Sequence, residues 1–322
     1  MEVSVFSPIL ASYSLDKALK YLGELGVHSM ELGCGGFPGT AHADAKVLVK
    51  DEKKLDELKE TFAKNNAKIC ALSTHGNCVH PNKTVADSFQ ADFEATCELA
   101  NKLGVKTVIT FSGCPGDAPG AKHPNWVTCP WPEDFLEILD YQWNEVLIPY
   151  WKGATAFAKD AGVERIALEM HPGFCVYNPE TLLKLRSAVG NMIGANFDPS
   201  HLIWQGVDVA YALRKMGDSV YHFHAKDTRI DKYNTAINGV LDTKHYSDEL
   251  NRSWIFRSVG YGSDPIVWKD MMSALNVNGY DGAVSIEHED SLMTPNEGLE
   301  KAIRFMQDVI IKEKKPSTIG WA

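Results

Sequence analysis

Glu169, Asp198, His224 and Glu287 stand near the C-terminal ends of four successive β-prone runs, spaced by 29, 26 and 63 residues. If alternate residues of each run face one interior, the outward set should be apolar and the inward set is free for chemistry. In RIALEMH that rule puts Ile166, Leu168 and Met170 outward and Arg165, Ala167, Glu169 and His171 inward. MIGANFD turns Asn196 and Asp198 inward, and AVSIEHE turns Ser285, Glu287 and Glu289 inward. VYHFHAK points Tyr221, Phe223 and Ala225 outward and His222, His224 and Lys226 inward. Ionised carboxylates crowded inside one interior repel each other unless a cation sits among them. Three carboxylates and one imidazole make a hard, oxygen-rich donor set, suited to Mn²⁺, Mg²⁺ or Co²⁺ rather than to a thiolate-bound structural zinc. A divalent metal is therefore the expected cofactor, Mn²⁺ first, with Mg²⁺, Co²⁺ and Zn²⁺ as alternatives. The bland alternative is a buried ion-pair network, Glu169 with Arg165 and Glu287 with Lys226.

The chemistry such a centre could perform is proton abstraction next to a carbonyl, with the cation stabilising the negative charge that develops on oxygen. Glu169 and Glu287 are the candidate bases, from opposite sides of the site. Two bases allow the proton to return elsewhere, giving isomerisation or epimerisation, whereas a leaving group one carbon further gives elimination. His171 is the third candidate catalytic residue, as the acid that would protonate a departing oxygen; His201 could serve the same end. Lys226, Arg257 in WIFRSVGYG and His75 at the end of the third run are candidate substrate contacts. His222, one layer deeper, is expected to hydrogen-bond to the metal shell. Glu31 lies mid-strand, with a site role and a structural role equally open. Trp126, Trp131 and Trp254 either stack on a sugar ring or pack a lid. A sugar-binding module with a structural metal and no catalysis is the competing class.

Positioning these residues requires eight strands. The candidates are Val3–Ser7, His28–Gly33, Lys68–His75, Lys106–Phe111, Arg165–His171, Met192–Asp198, Val220–Lys226 and Ala283–Glu289. Amphipathic segments with apolar residues three and four apart separate them, among them Ser88–Leu103, Tyr150–Ala161, Pro179–Val189 and Pro295–Ile311. Several start after a cap or proline, as at Asn178-Pro179, and several stop at a glycine such as Gly104. Eight β/α units with right-handed crossovers close most simply into a (β/α)8 TIM barrel, an α/β fold, here a single domain over residues 1–322. An open doubly wound sheet is the runner-up, but the Gly-x-Gly-x-x-Gly turn after the first strand is missing. Two connections are too long for ordinary loops: Ser112–Gln142 after strand four, and Thr228–Gly262 after strand seven. Both lie on the strand-exit side, so they read as pocket walls or lids.

The segments ALEMHP, ANFDPSHL, HFHAKDTR and SIEHED resemble the Glu, Asp-x-x-His, His-x-Lys-Asp-x-Arg and Glu signatures of the sugar phosphate isomerase/epimerase superfamily. These are the xylose isomerase-like barrels that include ketose 3-epimerases and inosose dehydratases. The resemblance follows element order over nearly the whole chain. It implies Glu169, Asp198, His224 and Glu287 as metal ligands, with His201 and Arg229 touching substrate. It implies a small sugar or keto-sugar as substrate, and leaves isomerase, epimerase, dehydratase and other lyase activities open. His171 departs from the Glu-Pro of ketose 3-epimerases. The long loops are similar to those of barrel subunits that act as metal-dependent deglycosidases of 3-keto-glycosides, in which proton abstraction next to a ketone expels a β-substituent. A homo-oligomer, with or without a second kind of subunit, is expected.

A net charge of −10 would repel a phosphate backbone, so nucleic acid is not an expected partner. The start of the chain resembles neither a signal peptide nor an anchor, and no run reaches the roughly 18 apolar residues of a membrane span. Seven cysteines without a Cys-x-x-Cys pair suggest reduced thiols in a cytoplasm.

Overall fold

Residues 1–313 are described by a computed structural model. Among the described residues ten strands form: β1 (Glu2–Phe6), β2 (Ser29–Gly33), β3 (Lys68–Ser73), β4 (Thr107–Phe111), β5 (Arg165–Glu169), β6 (Ile193–Phe197), β7 (Val220–Ala225), β8 (Asp227–Ile230), β9 (Trp254–Arg257) and β10 (Ala283–Ile286). Strands β1 to β7 and β10 close into a parallel barrel, β1 pairing with both β2 and β10, so no edge is left open. The eight-stranded TIM barrel expected from the sequence is the fold. Helices cover the barrel and start where side chains satisfy their first amides: Ser14 accepts from Lys17 N, Asn178 from Thr181 N and Thr294 from Glu297 N. Gly104 ends the long helix Lys83–Leu103 with φ of 70°, a conformation other residues adopt only under strain.

The inside–outside alternation holds on the four site-bearing strands with one exception. Ile166, Leu168, Ile193, Phe197, Phe223, Val284 and Ile286 are buried in the apolar layer between sheet and helices. Ala71, Ile109 and Ala167 form a separate apolar layer within the barrel, small enough to leave its upper interior to polar side chains. Tyr221, expected outward, instead packs against that inner layer. The β6–β7 register slips between Ala195 and Asn196, so that Asn196 pairs with His222 and Tyr221 is the extra residue. A bulge re-aims side chains locally, which strict alternation cannot anticipate.

The long connections are partly structured. The helix expected from Tyr150 begins at Asp134 and runs through a π-helical stretch, Tyr141–Leu147, into Ile148–Asp160. The wider turn accommodates Pro149, which would break a regular helix. It also turns Gln142 into the fold, where its amide donates to the carbonyls of Pro115, Gly116 and Asn125 and pins the loop after β4. After β7 the chain forms the antiparallel pair β8–β9 and the helix Lys232–Asn238. The carboxylate of Asp227, fully buried, anchors this insertion by accepting from the amides of Gly260, Gly262 and Ser263 and from Trp268 Nε1. Among the described residues no helix is long and apolar enough to cross a membrane.

Candidate active site

Each expected metal ligand is delivered by a strand end. Glu169 closes β5. Asp198 follows β6 and caps the short helix Pro199–Ile203, with Oδ1 accepting from Ser200 N at 2.8 Å. His224 is the penultimate residue of β7, and Glu287 follows β10 with its amide bonded to Ala225 O at 3.1 Å. The donor atoms of Glu169, Asp198, His224 and Glu287 lie within 4.8 Å of one another. Nδ1 of His224 is 3.3 Å from Glu169 Oε2 and 3.0 Å from Glu287 Oε2. Nε2 of the same ring points the other way, 2.9 Å from Glu31 Oε1.

The residues fit a cation. Oδ2 of Asp198 is buried and takes no well-formed hydrogen bond, although Lys226 Nζ is 3.1 Å away and His201 Nε2 3.3 Å. A buried carboxylate oxygen with no well-formed hydrogen bond, gathered with two further carboxylates, leaves a lone pair for a cation. Burial, with the Glu169 and Glu287 charges reinforcing it against Lys226, pushes the Asp198 carboxyl up to about 7. For Glu169 burial is outweighed by hydrogen bonds from His201, His224 and His75, which hold it well below the usual carboxylate range. Burial of Glu287 is likewise outweighed, chiefly by Lys226, and its carboxyl falls to about 2. His224 is raised well above its ordinary value: burial opposes protonation, but the Glu31 and Glu287 charges prevail.

The ion pair weighed as an alternative is half realised. Lys226, 1% exposed, reaches Glu287 and Glu289, each at 3.0 Å, whereas Arg165 stands exposed at the opposite end of β5. One ammonium does not balance Glu169, Asp198 and Glu287 together, so the pair and a cation are compatible.

His75 Nε2 is 2.9 Å from Glu169 Oε2, His201 Nε2 is 3.1 Å from Oε1, and Asn196 Nδ2 donates to Oε2 at 3.0 Å. His171 joins this group, its ring centroid 3.9 Å from that of His201. Its Nδ1 can only donate to the Pro172 carbonyl, at 2.6 Å, which leaves Nε2 as the atom with a free lone pair. Burial lowers the His171 pKa, and burial together with the neighbouring His171 and Lys226 lowers that of His201 well below the usual imidazole value. Both rings are neutral near neutral pH.

Two expected substrate contacts, Arg229 and Arg257, do not line the pocket above Glu169. Arg229 is exposed on the outer side of β8 and donates to Gly262 O at 3.1 Å, because in the β8–β9 hairpin its neighbours Thr228 and Ile230 take the inner side. Arg257 is engaged by Asp290, 3.1 Å from Nε. Sequence reasoning left Glu31 unassigned; the structure buries it beneath the site, accepting from His222 Nε2 at 2.8 Å, from His224 and from Ser73 Oγ. It also passed over Asn196, whose inward position was legible, and over Phe6, Phe37 and Phe111, which wall the pocket above Glu169. Gly36, at φ 63°, makes the Phe37 wall feasible, since a Cβ there would sit 2.1 Å from His75 O.

Fold and site together define a class: the chain belongs to the xylose isomerase-like TIM barrels, whose family pattern matches residues 19–309. That membership bears out the resemblance read from its strand-end motifs. Among relatives, it is 39% identical over 312 residues to the uncharacterized protein YfiH of Bacillus subtilis, covering 96% of this chain and 99% of the relative. It is 25% identical over 304 residues to inosose dehydratase of Mesomycoplasma hyopneumoniae, covering 92% of this chain and 89% of that enzyme. Among solved structures, the IolI protein with a bound zinc atom superposes with a TM-score of 0.65 at 20% identity, covering 96% and 98% of the two chains. The last likeness speaks to the fold.

Proposed function

We propose that this protein is a divalent-metal-dependent isomerase or epimerase that moves a proton next to the carbonyl of a ketose or keto-sugar. The observation that carries this reading is the convergence of Glu169, Asp198, His224 and Glu287 within 4.8 Å at the strand-exit end of a closed barrel. A divalent cation held by those four, Mn²⁺ in the first instance, would polarise the substrate carbonyl and stabilise the enediolate charge.

The chain's own groups supply the proton chemistry. Glu169 and Glu287 come from strands separated by β6 and β7, so they reach a bound sugar from different sides, and both are held ionised. One removes the carbon-bound proton and the other can return one to the opposite face. His75, His201 and Asn196 fix the orientation of Glu169. His171, neutral and with Nε2 open, is suited to accept a hydroxyl proton from the substrate, whereas donation to a departing oxygen would first require its protonation. Lys226 keeps Glu287 ionised and offers an ammonium to substrate oxygens. Glu169, Glu287 and Glu289 all line the pocket, which disfavours a phosphorylated sugar. All seven cysteines are unpaired, and we place the protein in the cytoplasm on that basis.

A second reading, elimination on a keto-sugar, is supported by the match to inosose dehydratase over 92% of the chain. The test is incubation of the Mn²⁺-loaded protein in D₂O with a panel of ketoses and keto-sugars, with products weighed by mass spectrometry. Deuterium uptake at constant molecular composition supports isomerisation or epimerisation; loss of water or of a substituent supports the lyase. Absence of both over the panel, with sugar binding retained, would make it a binding module.

A further inference from the structure

The metal pocket, a cavity of about 180 Å³, has a larger neighbour of about 390 Å³ whose walls include Trp126, Trp204, Leu241, Tyr246 and Trp254. His171 lines both. We propose that the second chamber seats a planar aromatic substituent carried by the keto-sugar, so that the substrate is an aryl-substituted sugar rather than a free monosaccharide. The proposal rests on the function proposed above and specifies its substrate class.

Four observations carry it. The first chamber has Glu169, Lys226, Glu287 and Glu289 among its walls, whereas the second has the rings of Trp126, Trp204, Tyr246 and Trp254 and a single carboxylate, Asp242, already spent on Ser253 N at 2.7 Å and Lys244 Nζ at 2.9 Å. Its walls are stiff: the rings of Trp204 and Trp254 stack at 4.7 Å and 4°, and the buried guanidinium of Arg252 lies 4.4 Å from the Tyr246 ring and 4.6 Å from that of Trp254. A stiff wall of flat ring faces favours a flat guest. Trp254 Nε1 donates to Val240 O, and the Nε1 atoms of Trp204 and Trp126 are buried out of reach of a guest, so these indoles offer the chamber ring carbon rather than a donor. Finally, Leu241, Tyr246 and Trp254 all come from the insertion after β7, which barrel closure does not need, and Leu241 and Tyr246 stand 64% and 52% exposed at the rim. A small polyol on the metal centre would leave this chamber unused.

The test compares phenyl β-D-glucoside with methyl β-D-glucoside by calorimetric titration of the Mn²⁺-loaded protein, with tryptophan fluorescence as a second readout. The phenyl compound should bind at least about tenfold more tightly. Tyr246→Ser and Leu241→Asp, both at exposed rim positions away from the metal ligands, should each remove most of that advantage while leaving methyl glucoside affinity and the folded circular dichroism spectrum unchanged. Equal affinity for the two probes, binding of neither, or an advantage that survives both substitutions overturns the proposal. Deuterium exchange on free ketoses, run in parallel, separates the readings: exchange without an aryl preference removes the second chamber and keeps the chemistry, and aryl preference without exchange does the reverse.

Discussion

Nε2 of His224 lies 2.9 Å from Oε1 of Glu31, a carboxylate that β2 supplies across the barrel interior. Donation of the Nε2 proton to Glu31 turns the Nδ1 lone pair toward Glu169, Asp198 and Glu287, which is the tautomer a metal ligand needs. Glu31 can take that role because the imidazoles of His224 and His222 outweigh its burial and hold it ionised.

Glu31→Gln should therefore weaken Mn²⁺ binding by about 10–100-fold, the usual effect of losing a group that orients a ligating histidine. Competition titration against a chelating dye measures this without reference to turnover. Unchanged affinity in a folded variant would remove Glu31 from the centre.

Replacing either base by its amide should suppress exchange of the substrate proton. Glu169→Gln and Glu287→Gln are each expected to slow deuterium uptake by about 10²–10⁴-fold, the range for general base catalysis. Chelation should abolish uptake in the parent protein, and added Mn²⁺ should restore it.

Metal capture should depend on pH. The Asp198 carboxyl, pushed up to about 7, must be ionised to ligate, and His224 must give up the proton that Glu31 and Glu287 favour. Protons compete with the cation as pH falls, so affinity should drop by about tenfold or more per unit below pH 7. Mn²⁺ titrations at a series of pH values between about 5.5 and 8.5 check this; a flat profile contradicts it.

Asp227→Ala should destabilise the fold without touching the metal ligands. It strands the buried amide of Gly262, the partly buried amide of Gly260 and the indole of Trp268, for a cost of about 3 kcal/mol or more in urea unfolding. Sensitivity to proteolysis should rise first within residues 228–262.

Much of this site is legible before folding, because the relevant signal is local. The period-two alternation in ALEMH, ANFD and SIEH specifies which side chains turn inward, and the spacing of the repeats brings one donor per strand to the same end of the barrel. Glu169, Asp198, His224 and Glu287 could be chosen on that ground alone, as could His75. The arginines could not: Arg229 and Arg257 sit in an insertion whose hairpin pairing decides which side each faces, and nothing in the linear order announces that pairing.

By itself, then, the sequence determined the repeat, the closed barrel and the identity of the converging donors, since all three follow from short-range patterning and the handedness of β/α units. Only the tertiary structure decided the partners met across the interior. The register slip opposite Tyr221 alters alternation on β7, the π-helical stretch around Gln142 ties down the loop after β4, and closure brings Glu31 of β2 under His224 of β7. The same folding sets two insertions side by side, so that Trp126 and Trp254, 128 residues apart in the chain, wall one cavity beside the metal pocket. Contacts at that separation depend on how the whole ring of strands closes, and no local period encodes them.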